Sequence, residues 1–160
     1  RIKIIFTSSL FYSARALAQA RFRNRHPVNG GSGCPVIVEG RRDMETLRAL
    51  GFEGPIELVN RGWGQSRLIA HLYDLYGRKN PIDGGPAVML MMDWDRTGIR
   101  IHKNLLGRMR SLDMMIDEST RKTLMRTVEL KAPTIEGLKN LVDDLVPLIN
   151  LEDPPSDIVF

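Results

Sequence analysis

Three carboxylates stand where apolar runs stop. Glu39 closes "CPVIVEG" (34–40), and Asp93 and Asp95 close "AVMLMMDWD" (87–95), with Arg96 and Gly98 directly behind them. Side chains of the first kind need a core, whereas carboxylates brought together without a counter-charge raise one another's pKa and cost free energy. A hard divalent cation removes that cost, and Mg2+ is commonly held by one or two carboxylates together with substrate phosphate. A cation in that position orients a phosphodiester, stabilises charge in its transition state and activates water or a hydroxyl. The cofactor expected is therefore Mg2+, with Mn2+ as the substitute. The plainer alternative is that Asp95 caps a helix beginning near Thr97. "DWD" alone, like Glu39 alone, is a weak signal.

The elements that must position these acids alternate along the chain. "CPVIVEG" reads as a buried strand, "DMETLRALG" as a helix with Asp43 at its N-cap and Gly51 at its end, and "PIELVN" as a second strand. "GQSRLIAHLYDLYG" follows as a second helix, "AVMLMMD" as a third strand apolar throughout, and "TGIRIHKNLLGRMR" as a third helix. "LDMMI" is a fourth strand candidate, and two more helical stretches lie around 119–130 and 134–146, the latter bent or ended by Pro147. Strands that alternate with helices imply a parallel sheet covered on both faces, an α/β architecture. In such sheets ligands bind at the carboxyl ends of the strands, where Glu39, Asp93 and Asp95 stand. Strand period places Asp93 and Asp95 on one side and Trp94 on the other.

Composition narrows the function classes. The 160 residues, 42% hydrophobic and 26% charged, fit one folded core, and no stretch approaches the roughly 20 apolar residues of a membrane-spanning helix. Cys34 is the sole cysteine, which excludes an internal disulfide or thiolate zinc cage and fits a reducing, cytoplasmic setting. Net charge is +4, but no acid precedes Glu39, while Arg1, Lys3, Arg15, Arg21, Arg23 and Arg25 do. Without those six, 17 Lys and Arg face 19 acids. The basic character therefore sits in an N-terminal arm, 1–33, that ends in the flexible-looking joint "NGGSG". Such an arm suits phosphate or RNA, including a ribonucleoprotein partner; a packing helix with a basic outer face and a targeting peptide are its other readings.

"VIVEGRRD" followed 54 residues later by "MMDWDRTG" resembles the Toprim family, whose pattern is a glutamate after the first strand and Asp-x-Asp after the third. The resemblance covers about residues 35–118 and is closest to small stand-alone archaeal Toprim proteins. It implies a Rossmann-like Toprim fold over 34–118: a four-stranded, mainly parallel sheet with helices on both faces. The basic arm would precede it and a helical extension, 119–160, would follow. By the same resemblance Glu39 would be the general acid or base, or help to hold metal, and Asp93 and Asp95 would be Mg2+ ligands. Asp43 matches an aspartate that often follows the family glutamate, and Gly98 matches the motif glycine. Arg41, Arg42, Arg96, Arg61 and Lys103 are candidates for phosphate contact around the crevice. Thr97 departs from the topoisomerase form of the motif, which has glutamate there.

Two functions compete. The first is Mg2+-dependent phosphodiester chemistry on RNA or DNA, most plausibly a nuclease, since 160 residues leave no room for topoisomerase or primase additions. The second is a non-catalytic nucleic-acid or ribonucleoprotein component. A dinucleotide or nucleotide-triphosphate enzyme is disfavoured, because no Gly-rich phosphate loop follows any strand. "NRGWGQ" (60–65), with Trp63 between two glycines, permits close approach of a ligand but equally a tight turn. His102 reads as a core histidine and the methionines as core filling.

Overall fold

The protein is described by a computed structural model covering residues 2–128 and 133–155, with side chains from residue 8 onward. Four short strands, β1 (Val36–Val38), β2 (Ile56–Leu58), β3 (Val88–Leu90) and β4 (Ile116–Asp117), form one parallel sheet in the order β2-β1-β3-β4. Val36 pairs with Ile56 on one side and Met89 on the other, and Val88 pairs with Ile116. The connections are helical: α2 (Arg41–Ala49), α3 (Gln65–Tyr76) and α4 (Arg96–Arg110). Helix α1 (Ile2–Asn24) precedes the sheet, and α5 (Ser119–Val128) and α6 (Val142–Glu152) follow it. This is the α/β arrangement expected from the alternation of apolar runs. The fourth strand is shorter and later than "LDMMI". The stretch from 134 divides into a 3-10 segment, Glu136–Leu141, and an α6 that runs through Pro147.

Both faces of the central strands are buried, which is why they read as continuously apolar rather than alternating. Val36, Val38, Met89 and Met91 point to one side, against Leu47 of α2, Leu17 of α1, Leu124 of α5 and Leu145 of α6. Ile37, Val88, Leu90 and Met92 point to the other, against Leu68 and Leu72 of α3 and Leu105 and Met109 of α4. The chain therefore leaves β1 toward one face, through α2, and leaves β3 toward the opposite face, through α4. A crevice opens between the carboxyl ends of two adjacent parallel strands whose connections diverge in this way. Glu39 and Asp93 lie at that crevice.

The N-terminal helix belongs to the packed structure. Leu10, Ala14, Leu17 and Ala18 are buried, and α1 lies along α5 and α6. Its last arginines turn inward. Buried Arg21 donates from Nε to Asp153 Oδ2 (2.7 Å), from Nη1 to the Leu50 carbonyl (3.1 Å) and from Nη2 to Asn150 Oδ1 (3.0 Å). Arg23 pairs with Asp83 (2.8 Å) and lies 3.8 Å from Asp117, and Arg25 pairs with Asp153 Oδ1 (2.8 Å). Residues 29–33 make a hydrogen-bonded corner: Ser32 and Cys34 amides donate to Arg23 O and Gly33 donates to Arg25 O. A Cβ on Gly31 would meet Arg25 O at 2.2 Å, so only glycine fits there. No described helix is long and apolar enough to cross a membrane.

Candidate metal centre

The site is built by two strand ends and the helix start beside them. β1 stops at Val38, so Glu39 projects from the first residue past the ladder, and Gly40 in extended conformation (φ −147°) opens α2. On the neighbouring strand Met91 N still donates to Ile37 O (2.9 Å), which carries the β3 backbone forward beside β1 and sets Asp93 next to Glu39. Asp43, in the first turn of α2, closes the group. Glu39, Asp43 and Asp93 each offer a carboxylate oxygen within 4.8 Å of the others. Asp43 and Asp93 are each only 7% exposed, so water does little to separate their charges.

Backbone amides hold the two aspartates. Asp43 Oδ2 accepts from Gly40 N (3.0 Å), and Asp93 Oδ1 accepts from Ile135 N (2.7 Å). The backbone of Glu136, next along the chain, also favours the ionised form of Asp43. Glu39 is different: its Oε1 is buried and has no hydrogen-bond partner. Burial, then interaction with Asp93 by hydrogen bonding and charge, then the charges of Asp43 and Asp95, push Glu39 up to about 8. Burial and the Asp93 charge raise Asp43 to about 6, against the pull of the Gly40 amide and the Glu136 backbone. Buried Arg121 of α5 lies behind the cluster, donating from Nε to Met92 O (2.8 Å) and from Nη2 to Asp93 O (3.1 Å). A partnerless buried oxygen in a set of hard carboxylates suits a hard, oxygen-seeking divalent cation such as Mg2+.

Among known proteins, the chain is 30% identical over 117 residues to a UPF0292 protein of Methanosarcina barkeri, an overlap of 72% of this chain and 73% of that one. It is 30% identical over 120 residues to a UPF0292 protein of Thermococcus onnurineus, covering 74% and 79%. The chain belongs to the UPF0292 family. A Pyrococcus abyssi member is 31% identical over 107 residues, 66% of this chain and 72% of its own length. No family model matches the chain, and no solved structure matches it significantly.

In this UPF0292 chain the residues singled out from sequence divide by position. Glu39 and Asp93 converge. Asp95 turns aside: it is the N-cap of α4, its Oδ1 accepting from Gly98 N (2.7 Å), because the strand ends at Leu90 and its two-residue period does not reach 95. Asp43 is not an N-cap. Gly40 holds that place, and Asp43, three residues on, turns its carboxylate back to the Gly40 amide. Gly98 is required by packing, since a Cβ there would sit 2.1 Å from Asp93 O. Arg41 and Arg42 are exposed at the start of α2, Arg42 lying 3.6 Å from Glu136, and Arg96 and Lys103 are exposed on α4.

Arg61 is committed to Glu57 (2.8 Å) and the Leu58 carbonyl (2.6 Å), with its guanidinium 5.0 Å from the Trp63 ring centre. Arg67 stacks on the same ring at 4.1 Å. This loop adjoins the acids, because Asn60 N donates to Glu39 O (2.9 Å). His102 is buried and bonded through Nε2 to Glu118 Oε1 (2.7 Å), as a core histidine would be. Sequence reasoning missed Arg121, the Ile135 amide and the Glu136 backbone. Arg121 did leave a trace: it shares the apolar helical stripe with Leu124 and Val128, where an arginine needs a buried partner.

Proposed function

We propose that the chain is a Toprim-type enzyme that cleaves phosphodiesters of RNA or DNA with Mg2+, which Mn2+ can replace. The observation that carries the reading is the convergence of Glu39, Asp43 and Asp93 in the crevice between β1 and β3, with one buried glutamate oxygen left without a partner. Glu39, Asp43 and Asp93 would hold the cation. When bound, it would neutralise the carboxylates and stabilise charge developing on the scissile phosphate.

The chain's own residues supply the rest. Glu39, whose proton is held up to about pH 8 in the empty crevice, would give it up as the cation enters, so metal binding would release a proton at neutral pH. Asp95 fixes the first turn of α4 behind Asp93, and Arg121 braces the Asp93 backbone. Exposed Arg41, at the start of α2, and Arg96, at the start of α4, flank the opening and are available to a substrate phosphate. The matched motifs "VIVEGRRD" and "MMDWDRTG" support the same assignment.

The test is incubation of structured RNA, single-stranded DNA and duplex DNA with Mg2+ or Mn2+, comparing wild type with Glu39→Gln and Asp93→Asn. Cleavage by wild type that both substitutions abolish supports the enzyme; cleavage surviving both refutes the site. Intact substrate with salt-sensitive binding supports instead a non-catalytic nucleic-acid-binding role.

A further inference from the structure

Six cations crowd the N-terminal arm, and the fold uses up most of those it describes. Arg21, Arg23 and Arg25 all reach acids far along the chain. Arg15 is left facing outward, without an acidic partner among the described residues. It lines a groove of about 360 Å³ between α1 and α5, together with Tyr12 and Gln19 of α1 and Thr123, Arg126 and Thr127 of α5. Arg126 is likewise exposed and without an acidic partner among the described residues. The Thr127 hydroxyl is occupied by Thr123 O (2.8 Å) and Ser13 Oγ (2.6 Å), so it adds no free donor. The two guanidiniums, the Gln19 amide and the Tyr12 and Thr123 hydroxyls remain available.

The charge of this groove sets it apart. The groove between α2 and the 3-10 segment also carries two cations, Arg42 and Lys139, but it balances them with Glu45 and Glu136. The α1–α5 groove has two cations and no carboxylate in its lining. Like charges facing one cleft are unfavourable until an anion enters, and guanidiniums match phosphate oxygens in geometry as well as charge. Tyr12, 59% exposed, adds a flat ring on which an unpaired base can stack. A run of carboxylates would engage the two guanidiniums alone, whereas a nucleic-acid strand engages both the guanidiniums and the ring. The volume lies in the range of ligand-binding clefts.

We infer that the α1–α5 groove is a second nucleic-acid contact, in which Arg15 and Arg126 grip the backbone phosphates of a single-stranded segment and Tyr12 stacks on a base. It rests on the nucleic-acid reading above but uses none of the residues of the acidic crevice.

The experiment is fluorescence anisotropy of a labelled single-stranded RNA oligonucleotide against the full chain over a range of salt concentrations. It compares wild type, Arg15→Gln/Arg126→Gln, Tyr12→Ala, and a control pair, Arg78→Gln/Lys79→Gln, that removes equal charge elsewhere. Two lost phosphate contacts lower the slope of log affinity against log salt by about 1.4. The groove pair is expected to show that drop, Tyr12→Ala to weaken binding about tenfold or more at unchanged slope, and the control to do neither. All four should melt alike, since every substituted side chain is exposed. A groove pair that behaves like the control overturns the inference while leaving the nucleic-acid reading standing. Wild type that binds no oligonucleotide overturns both. Wild type that binds polyglutamate through this groove, and not the oligonucleotide, overturns the inference in favour of an acidic protein partner.

Discussion

The sharpest physical consequence of the acidic crevice is that the metal-free protein should lose stability as pH rises through neutrality. A carboxyl whose folded pKa is raised binds its proton more tightly folded than unfolded, so stability falls as pH climbs from the ordinary value toward the raised one. For Glu39 that window runs from 4.5 to about 8, and for Asp43 from 3.8 to about 6. His102, whose charge burial disfavours, acts with the opposite sign below 6.5, so the clean window lies above that value. Asp83, held at about 2 by Arg23, titrates well below it, and the Cys34 thiol, pushed up to about 12 by burial, lies well above. Between pH 6.5 and pH 8 a fully enclosed Glu39 would cost about 2 kcal/mol. The carboxyl is partly open to water, and screening halves that to about 1 kcal/mol. In a chain of this size that is about 3 °C in melting temperature. The assay is thermal melting in EDTA at both pH values, repeated with millimolar Mg2+ and with Glu39→Gln. Wild type should melt lower at pH 8 in EDTA, recover with Mg2+, and match the glutamine variant only at pH 6.5. Equal melting at both pH values in EDTA, or a Glu39→Gln chain less stable than wild type at pH 8, would refute the argument.

Other outcomes follow from single contacts. Gly98→Ala forces a Cβ onto Asp93 O, so it should cost about 3 kcal/mol in urea unfolding and displace Asp93 enough to abolish any Mg2+ effect on melting. Arg121→Met leaves the Met92 and Asp93 carbonyls without their donor and should destabilise by about 3 kcal/mol, with the loss larger at pH 8 than at pH 6.5. Asp153→Asn strips the counter-charge from buried Arg21 and half-buried Arg25 and should cost about 3 kcal/mol, read as faster hydrogen exchange where α6 docks on α1. Asp95→Ala removes only a helix cap and should cost about 1 kcal/mol while leaving Mg2+ stabilisation in place.

The strand pattern was legible because both faces of a parallel sheet are buried, and Glu39 and Asp93 were legible because acids directly after such runs must emerge at one edge. What failed was extrapolation past the ladder. The two-residue period was carried through Asp95, but the hydrogen-bonded strand stops at Leu90, and the next carboxylate is free to serve the α4 N-terminus. Local rules make Asp43 an N-cap and cannot see that α2 begins two residues earlier, which brings the carboxylate beside Glu39, where the motif resemblance also places it. The arm's sequence does not show which of its cations are paired, because acids such as Asp83, Asp117 and Asp153 lie more than 50 residues away along the chain. Which cations stay unpaired is settled only by tertiary contacts.

Those contacts also bear on the proposal that the crevice takes an ion and not merely a proton. Three carboxylates meet there, and Arg121 is packed against the backbone of one of them, Asp93. Its guanidinium is spent on two carbonyls, so it offsets charge from behind and leaves the Glu39 oxygen without a donor. Against three ionised acids, one arginine leaves a deficit of two charges. A proton shared between Glu39 and Asp93 removes only one of them, and only below about pH 8. Asp95, bound to the Gly98 amide, adds negative potential without offering the same pocket an obvious ligand. Above about pH 8 a buried deficit of two is costly in a low-dielectric crevice, and the proposed divalent cation would remove it. A small divalent cation would meet that requirement with the carboxylate oxygens already gathered on Glu39, Asp43 and Asp93.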